Sequence, residues 1–311
     1  MWSYPISSAM MGCTATCRSL GDERGAATGV WQYPAMDYQQ RFGRTAIERG
    51  VPEDEVGEFA GLLRFGIWTN PVYGGVPVGQ RGGLPRLPVG MQWPSSESGP
   101  LPFVASYDCA ALPRVDGLAL PADGSLLFFL HHAAAYEVHL DECAEDAENV
   151  VREQQYARVV YVPAGTGTVT AEEPEYGDYE DAGDPFVGEE TTFFATVTPV
   201  LPWFAYWPHV SDSQEYVDCV LPHEEELCAL VEELWPKPKG GPFVAIGGYT
   251  KDVGHPYGTP EERMGVNRRE WTPLAQFSRQ RDIYEGRFLI RDEDLAARRF
   301  DKALSFTAFT E

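Results

Sequence analysis

Residues 81–130 read RGGLPRLPVGMQWPSSESGPLPFVASYDCAALPRVDGLALPADGSLLFFL. A proline- and glycine-rich arm leads to Trp93. The run Leu101 to Tyr107 has the aromatic and β-branched character of a strand packed on a core. Pro121-Ala122-Asp123-Gly124 is a turn signal, and Ser125 to Leu130 is a second apolar strand. Strands separated by glycine- and proline-rich connections predict antiparallel β structure.

The same order returns near the C-terminus. Gly82-Gly83 precedes Trp93, an apolar strand, Gly124 and a second strand; Gly247-Gly248 precedes Trp271, Leu274 to Phe277, Gly286 and Arg287 to Ile290. A duplicated β unit would let two half-sheets cover each other's apolar faces. The expected halves are residues 81–170 and 191–311, with Trp93 and Trp271 buried at corresponding points. The fold expected is mainly β, α+β in detail, with antiparallel sheets in two related halves and a helical N-terminal lead-in.

The 50-residue block resembles the bacterial YwqG-like proteins, a domain family of unknown function. The resemblance rests on Gly82-Gly83-Leu84-Pro85, Leu87-Pro88, Trp93-Pro94, Pro100 to Phe103, Leu112-Pro113, and Leu120-Pro121 running into Gly124 and Leu127 to Phe129. Trp271, Leu274 and Gln276, then Gly286, Ile290, Asp294-Leu295 and Phe300, extend it to the C-terminal part. It covers roughly residues 60 to 311. The family's Asp-x-Gly turn is replaced here by Tyr284-Glu285-Gly286. The resemblance implies the YwqG-like fold and carries no catalytic residues with it.

Working outward, the first 35 residues are rich in Ser, Thr, Ala and Gly without a period, so poor order is expected there. The domain is expected from Met36 onward, and Met36 is expected to be the native start. Asp37 as N-cap and Gly50 as stop bracket one helix. Pro52, at the first helical position, with Glu53, Asp54 and Glu55 behind it, opens a second whose apolar face is Val56, Phe59 and Leu63. Ala157 to Val162 and Thr191 to Thr198 read as strands, and His223 to Trp235 as a helix closed by Pro236. A helix capped by Asp292 and a last strand over 302–310 close the chain.

The 311 residues carry a formal net charge of −23, with 43% hydrophobic and 13% aromatic residues. Those are values of a globular chain. The charge argues against nucleic acid and against anionic membrane surfaces as partners. It suits a basic protein partner. Glu172 to Glu190 holds nine carboxylates and no basic residue, which reads as a solvated acidic loop. Six cysteines without framework spacing predict free thiols in a reducing cytoplasm. No apolar run is long enough to span a bilayer.

Two places hold residue types that carry chemistry. His131, His132 and His139 stand among Glu137, Asp141, Glu142 and Cys143, so His131 and His139 are candidate metal ligands. On one strand they would lie about 27 Å apart, so a shared ion would need a turn between them. The second place is Gly247 to Gly258, GGYTKDVGHPYG. It offers Asp252 and His255 as an acid–base pair, with Tyr249, Tyr257 and Arg268 as candidate binding residues. Neither place matches a nucleotide or zinc motif, and no G-x-S-x-G element occurs, so no cofactor is expected. The run Pro202 to Trp207 is aromatic enough for a ligand platform, though core packing explains it as well. Two functions follow. The first is a non-enzymatic binding protein, of immunity type, that neutralises a basic partner. The second is a metal-dependent or acid–base enzyme acting on a small molecule.

Overall fold

Fourteen strands form among the described residues, and the longer ones are built on β-branched and aromatic residues. The computed structural model describes residues 38–140, 146–175, 189–202, 221–250, 270–277 and 284–309. All lie in one unit, residues 35–311. In chain order the elements begin with α1 (Tyr38–Glu48), α2 (Glu53–Leu62), β1 (Arg64–Asn70), β2 (Pro77–Arg81), β3 (Arg86–Pro88), β4 (Ser95–Ser96), β5 (Gly99–Pro100), β6 (Phe103–Asp108) and β7 (Ser125–Leu130). Then come α3 (His132–Glu137), α4 (Asp146–Glu153), β8 (Ala157–Val162), β9 (Thr168–Thr170), β10 (Thr191–Val200) and α5 (Glu224–Leu234). The chain closes with β11 (Val244–Gly247), β12 (Trp271–Phe277), β13 (Tyr284–Arg291), α6 (Asp292–Ala296) and β14 (Leu304–Phe309).

Ten strands form one antiparallel sheet in the order β14-β13-β12-β11-β1-β10-β2-β6-β7-β8. β3 pairs with β9, and β4 with β5. The order reads alike outward from the central pair β1–β10. One flank is β10-β2-β6-β7-β8, the other β1-β11-β12-β13-β14. The registers agree too. Gly79 faces Tyr107 as Val244 faces Phe277. The ladder slips between Phe103 and Ala105 on one flank and between Pro273 and Ala275 on the other. Beyond each slip Phe128 faces Ala105, and Phe288 faces Ala275. The glycine pairs match as well. Gly82 and Gly83 have φ of 63° and 65°, Gly247 and Gly248 of 72° and 74°. That left-handed region explains why glycine stands at all four positions.

The flanks are interleaved. β1 precedes β2 in the chain yet pairs with β11, and β10 precedes β11 yet lies beside β2. The flanks also meet face to face. The Phe128 ring lies 5.3 Å from Phe288 and 5.9 Å from Phe277. Gly286 lets them close, because a Cβ there would lie 2.6 Å from His132 Nε2. The main core runs across both flanks.

The tryptophans differ from the expectation. Trp271 stands two residues before its ladder slip, where the other flank has Leu101. Trp93 lies in the arm before β6, donates from Nε1 to the Leu101 carbonyl at 2.8 Å, and meets the Phe129 ring edge-on. Both rings are half-buried. They are not equivalent, because the arm that carries Trp93 pads a small core of Leu87, Leu101, Phe103, Leu127 and Phe129. Trp271 instead lies under the Arg291 guanidinium, 5.2 Å away.

The lead-in helices pack with α5 as a layer beside β1. Phe42 of α1 and Phe59 of α2 are buried and their rings lie 5.4 Å apart. Leu227, Leu230 and Val231 form the buried stripe of α5. Each such side chain contributes about 1.5–3 kcal/mol by leaving water. Pro52 is the N-cap of α2 rather than its first helical residue, so the helix starts at Glu53, one position later than the sequence suggests. Asp292 opens α6 from inside rather than capping it, and α6 ends at Ala296. Among the described residues no helix is long and apolar enough to cross a membrane.

Candidate functional site

A cavity of about 390 Å³ opens where α1, α2, β1 and the glycine pair after β11 meet. Gln39 pins the start of α1 to the end of α2, its amide nitrogen donating to the carbonyls of Ala60 and Leu63. Tyr38 then stacks on Phe65 of β1 with ring centroids 4.5 Å apart, which makes the aromatic floor. Gly247 and Gly248 bend the chain beside it, and a Cβ on Gly247 would press to 3.0 Å from Leu118. Leu118 belongs to the long β6–β7 connection, which also brings Asp116 to the rim. On the far side the Thr272 hydroxyl donates to Asp292 Oδ1 at 2.5 Å. Arg64 completes the lining, its guanidinium 4.5 Å above the Tyr249 ring. Burial, and then the charge of Asp116, raise the Tyr38 phenol above its ordinary range. Asp116 is exposed and makes no hydrogen bond or ion pair among the described residues.

The residues singled out from the sequence fall in several places. Asp252, His255, Tyr257 and Arg268 lie outside the described residues, as do Asp37, the first 35 residues, 176–188 of the acidic loop and 203–207 of the aromatic run. Tyr249 borders the cavity as a brace. Its hydroxyl donates to the Leu62 carbonyl at 2.8 Å, and its own carbonyl accepts the Gln276 amide at 3.0 Å. His131 caps α3, its Nδ1 accepting from the Ala134 N–H at 3.2 Å. His139 lies 2.8 Å from Glu153 through Nε2. These two histidines thus have different partners among the described residues, because the chain turns into α3 at His132 and carries His139 to α4. Among the described residues no group of three or more ligand types gathers.

Residues 80–307 match the family described as a domain of unknown function, DUF1963. The chain belongs to the DUF1963 family. No curated protein matches it. The DUF1963 match takes in Asp116, Gly247, Gly248, Thr272 and Asp292 of the cavity, whereas Tyr38, Gln39, Arg64 and Phe65 come from the lead-in before it. The two thiols among the described residues of this DUF1963 protein, Cys109 and Cys228, are poor nucleophiles. Burial pushes Cys109 up to about 12 and Cys228 up to about 11, far from a thiolate at neutral pH.

Within the DUF1963 domain the His139–Glu153 contact joins a partly exposed imidazole to a sealed carboxyl group. Glu153 is 0% exposed, and its Oε1 makes no hydrogen bond among the described residues. Burial raises its pKa, and this outweighs the opposing pull of His139 and Thr307. Sealed in this way, Glu153 serves the closure of α4 against β14. A raised carboxyl pKa means that folding favours the protonated form, so this contribution is present at low pH and is lost as pH rises through the folded value. Glu153→Gln keeps the shape without the charge. We expect the variant to be at least as stable as wild type at pH 7 and the two to converge toward pH 4, read by urea unfolding. A Glu153→Gln protein that is less stable at pH 7 by the same margin as at pH 4 would count against this account.

The second feature is electrostatic. α2 carries Glu53, Asp54, Glu55 and Glu58, and α5 carries Glu224, Glu225, Glu226, Glu232 and Glu233. The two N-termini are joined, for Glu55 accepts from the His223 N–H at 3.1 Å and lies 2.9 Å from its Nδ1. Arg49 and Lys237 pair with Glu233 and Glu232. Glu53, Asp54, Glu58, Glu225 and Glu226 are exposed and have no such partner among the described residues. Burial and then the Glu225 charge push the Glu224 carboxyl up. Composition announced the acidity, but only the fold gathers carboxylates more than 160 residues apart onto adjoining helix ends.

Proposed function

We propose that this DUF1963 protein is a non-enzymatic binding module for a basic protein, of the kind that neutralises a toxin or nuclease in the bacterial cytoplasm. The observation that carries the reading is the unpaired carboxylate group on the adjoining N-termini of α2 and α5. Like charges held together on a rigid helical layer repel one another until a cationic surface covers them. They also steer such a surface in, with a strong dependence on salt. The net charge of −23 extends the same field over the chain. The helix dipoles hold these acids in place, since positive helix ends favour carboxylates.

The test is capture from native lysate on the immobilised full chain, at low and at high salt. A basic protein is expected to be retained at low salt and released by about 0.5 M salt, where screening reaches a few ångströms. The variant with Glu53, Asp54, Glu225 and Glu226 changed to Lys is expected to lose that protein while still unfolding cooperatively, at a melting temperature lowered by the lost helix-end interactions. Retention of the same protein by the charge-reversed variant would overturn the assignment.

A further inference from the structure

We infer that the cavity beside Gly247–Gly248 receives a protonated lysine or arginine side chain of the basic partner, with Asp116 as its counter-ion. The inference rests on the binding reading above and names what the partner inserts.

The chemistry of the lining selects for a cation with an alkyl stem. Two carboxylates, Asp116 and Asp292, face one guanidinium, that of Arg64. Arg64 is held over the Tyr249 ring, and Asp292 receives the Thr272 hydroxyl. Among the described residues Asp116 has no hydrogen bond or ion pair, and its charge acts on the Tyr38 phenol. An anionic ligand would meet two like charges, and an uncharged apolar one would strip water from them without return. A lysine or arginine side chain avoids both costs. Its methylenes can lie along Leu63 and Leu118, and its charged end can sit over the stacked Tyr38–Phe65 rings. At about 390 Å³ the cavity is at the small end of ligand sites, room for one long side chain and some water.

Position joins the cavity to the acidic helix ends. α2 runs for 10 residues from Glu53, in the acidic group, to Leu62, next to cavity residues Gly61 and Leu63. That is about 15 Å at the helical rise, well inside the footprint of a standard protein interface. One basic partner can therefore lie on the acidic ends and reach the cavity at once.

The experiment needs no partner protein at first. Nα-acetyl-lysine methylamide, Nα-acetyl-arginine methylamide and the neutral Nα-acetyl-norleucine methylamide are titrated into the full chain, and the amide signals of Gly117, Gly247 and Gly248 are followed by NMR. Saturable shifts are expected with a cationic probe and not with norleucine. Asp116→Asn is expected to weaken the cationic probe about tenfold, the scale of one charge-assisted contact. Its fold should be unchanged, because Asp116 is exposed. The charge-reversed helix variant should bind the probe as wild type does, which separates this site from the capture test. No saturable shift with either cation, equal shifts with norleucine, or undiminished binding by Asp116→Asn would each overturn the proposal. If the probe binds but the partner is captured equally well by Asp116→Asn, the cavity is not part of the interface, and the proposal falls while the acidic-face reading stands.

Discussion

Phe128→Ala is expected to lower stability by about 3–5 kcal/mol, the range of large aromatic truncations in closed cores. Phe128 is 0% exposed and sits where the two flanks touch. Its ring meets Tyr107 of its own flank at 6.1 Å, and Phe288 and Phe277 of the other at 5.3 and 5.9 Å. Removing it opens a void that strands on both sides must collapse to fill, and a ten-stranded ladder cannot shift one strand without its neighbours. The double variant with Phe288→Ala should show coupling of about 0.5–1.5 kcal/mol, as edge-to-face pairs do. Phe129 supplies the control. It is equally buried but belongs to the small core around Leu87 and Leu101. Phe129→Ala should be costly by itself and additive with Phe288→Ala, because the two share no core. Urea unfolding of the four-variant cycle decides it. A loss under about 1 kcal/mol for Phe128→Ala, typical of surface changes, would mean that the flanks are not held together here.

Acid is expected to act on the same seam through His132. The imidazole is 4% exposed and packs against Gly286 of the opposite flank. Burial first, and then the Arg81 charge, depress its pKa to about 3. The unfolded chain takes up the proton near pH 6.5, long before the folded one does. The stability tied to neutral His132 is therefore complete above pH 6.5 and is withdrawn as pH falls toward the folded value. The slope is about 1.4 kcal/mol per pH unit, which makes about 4–5 kcal/mol by pH 3. Glu153 works in the opposite sense over the upper part of this window, since its raised pKa favours folding as pH falls. The two are separated by His132→Gln. The variant should be less stable than wild type at pH 7, with a deficit that shrinks steadily below pH 6.5. Parallel stability–pH curves for wild type and variant between pH 7 and 4 would remove His132 as the cause.

Parts of this architecture are written locally. Ser125 to Leu130, Ala157 to Val162 and Trp271 to Phe277 are strands with those very limits: the first opens after Gly124, the second closes before Pro163 and the third opens after Glu270. The helix around Leu227, Leu230 and Val231 shows its buried stripe at spacings of three and four. The paired glycines before each strand set were visible as a repeat, and their matching left-handed φ values give the physical ground for it. The mainly β character follows from such short-range signals.

What lies between distant residues was not legible. The exchange that sets β1 beside β11 and β10 beside β2 depends on which edges are open when the flanks meet, and no periodicity in one strand records its neighbour. Trp93 and Trp271 look alike in sequence because each follows a glycine pair, yet only the register shows that Trp271 stands in the place of Leu101. His131 and His139 were grouped by ligand type, and the turn into α3 gave one to a helix cap and the other to Glu153. Asp116 drew no notice, being one carboxylate in an Asp-Gly turn, and it is the fold that lays it against Tyr38, 78 positions earlier. Composition and spacing determined the longer strands, the two lead-in helices and α5, the repeat and the acidity, but not α3, α4 or the short strands of the arm. Only the closing of one flank on the other decided which charges share a surface, because proximity in a sheet is set by hydrogen-bonded neighbours and not by order along the chain.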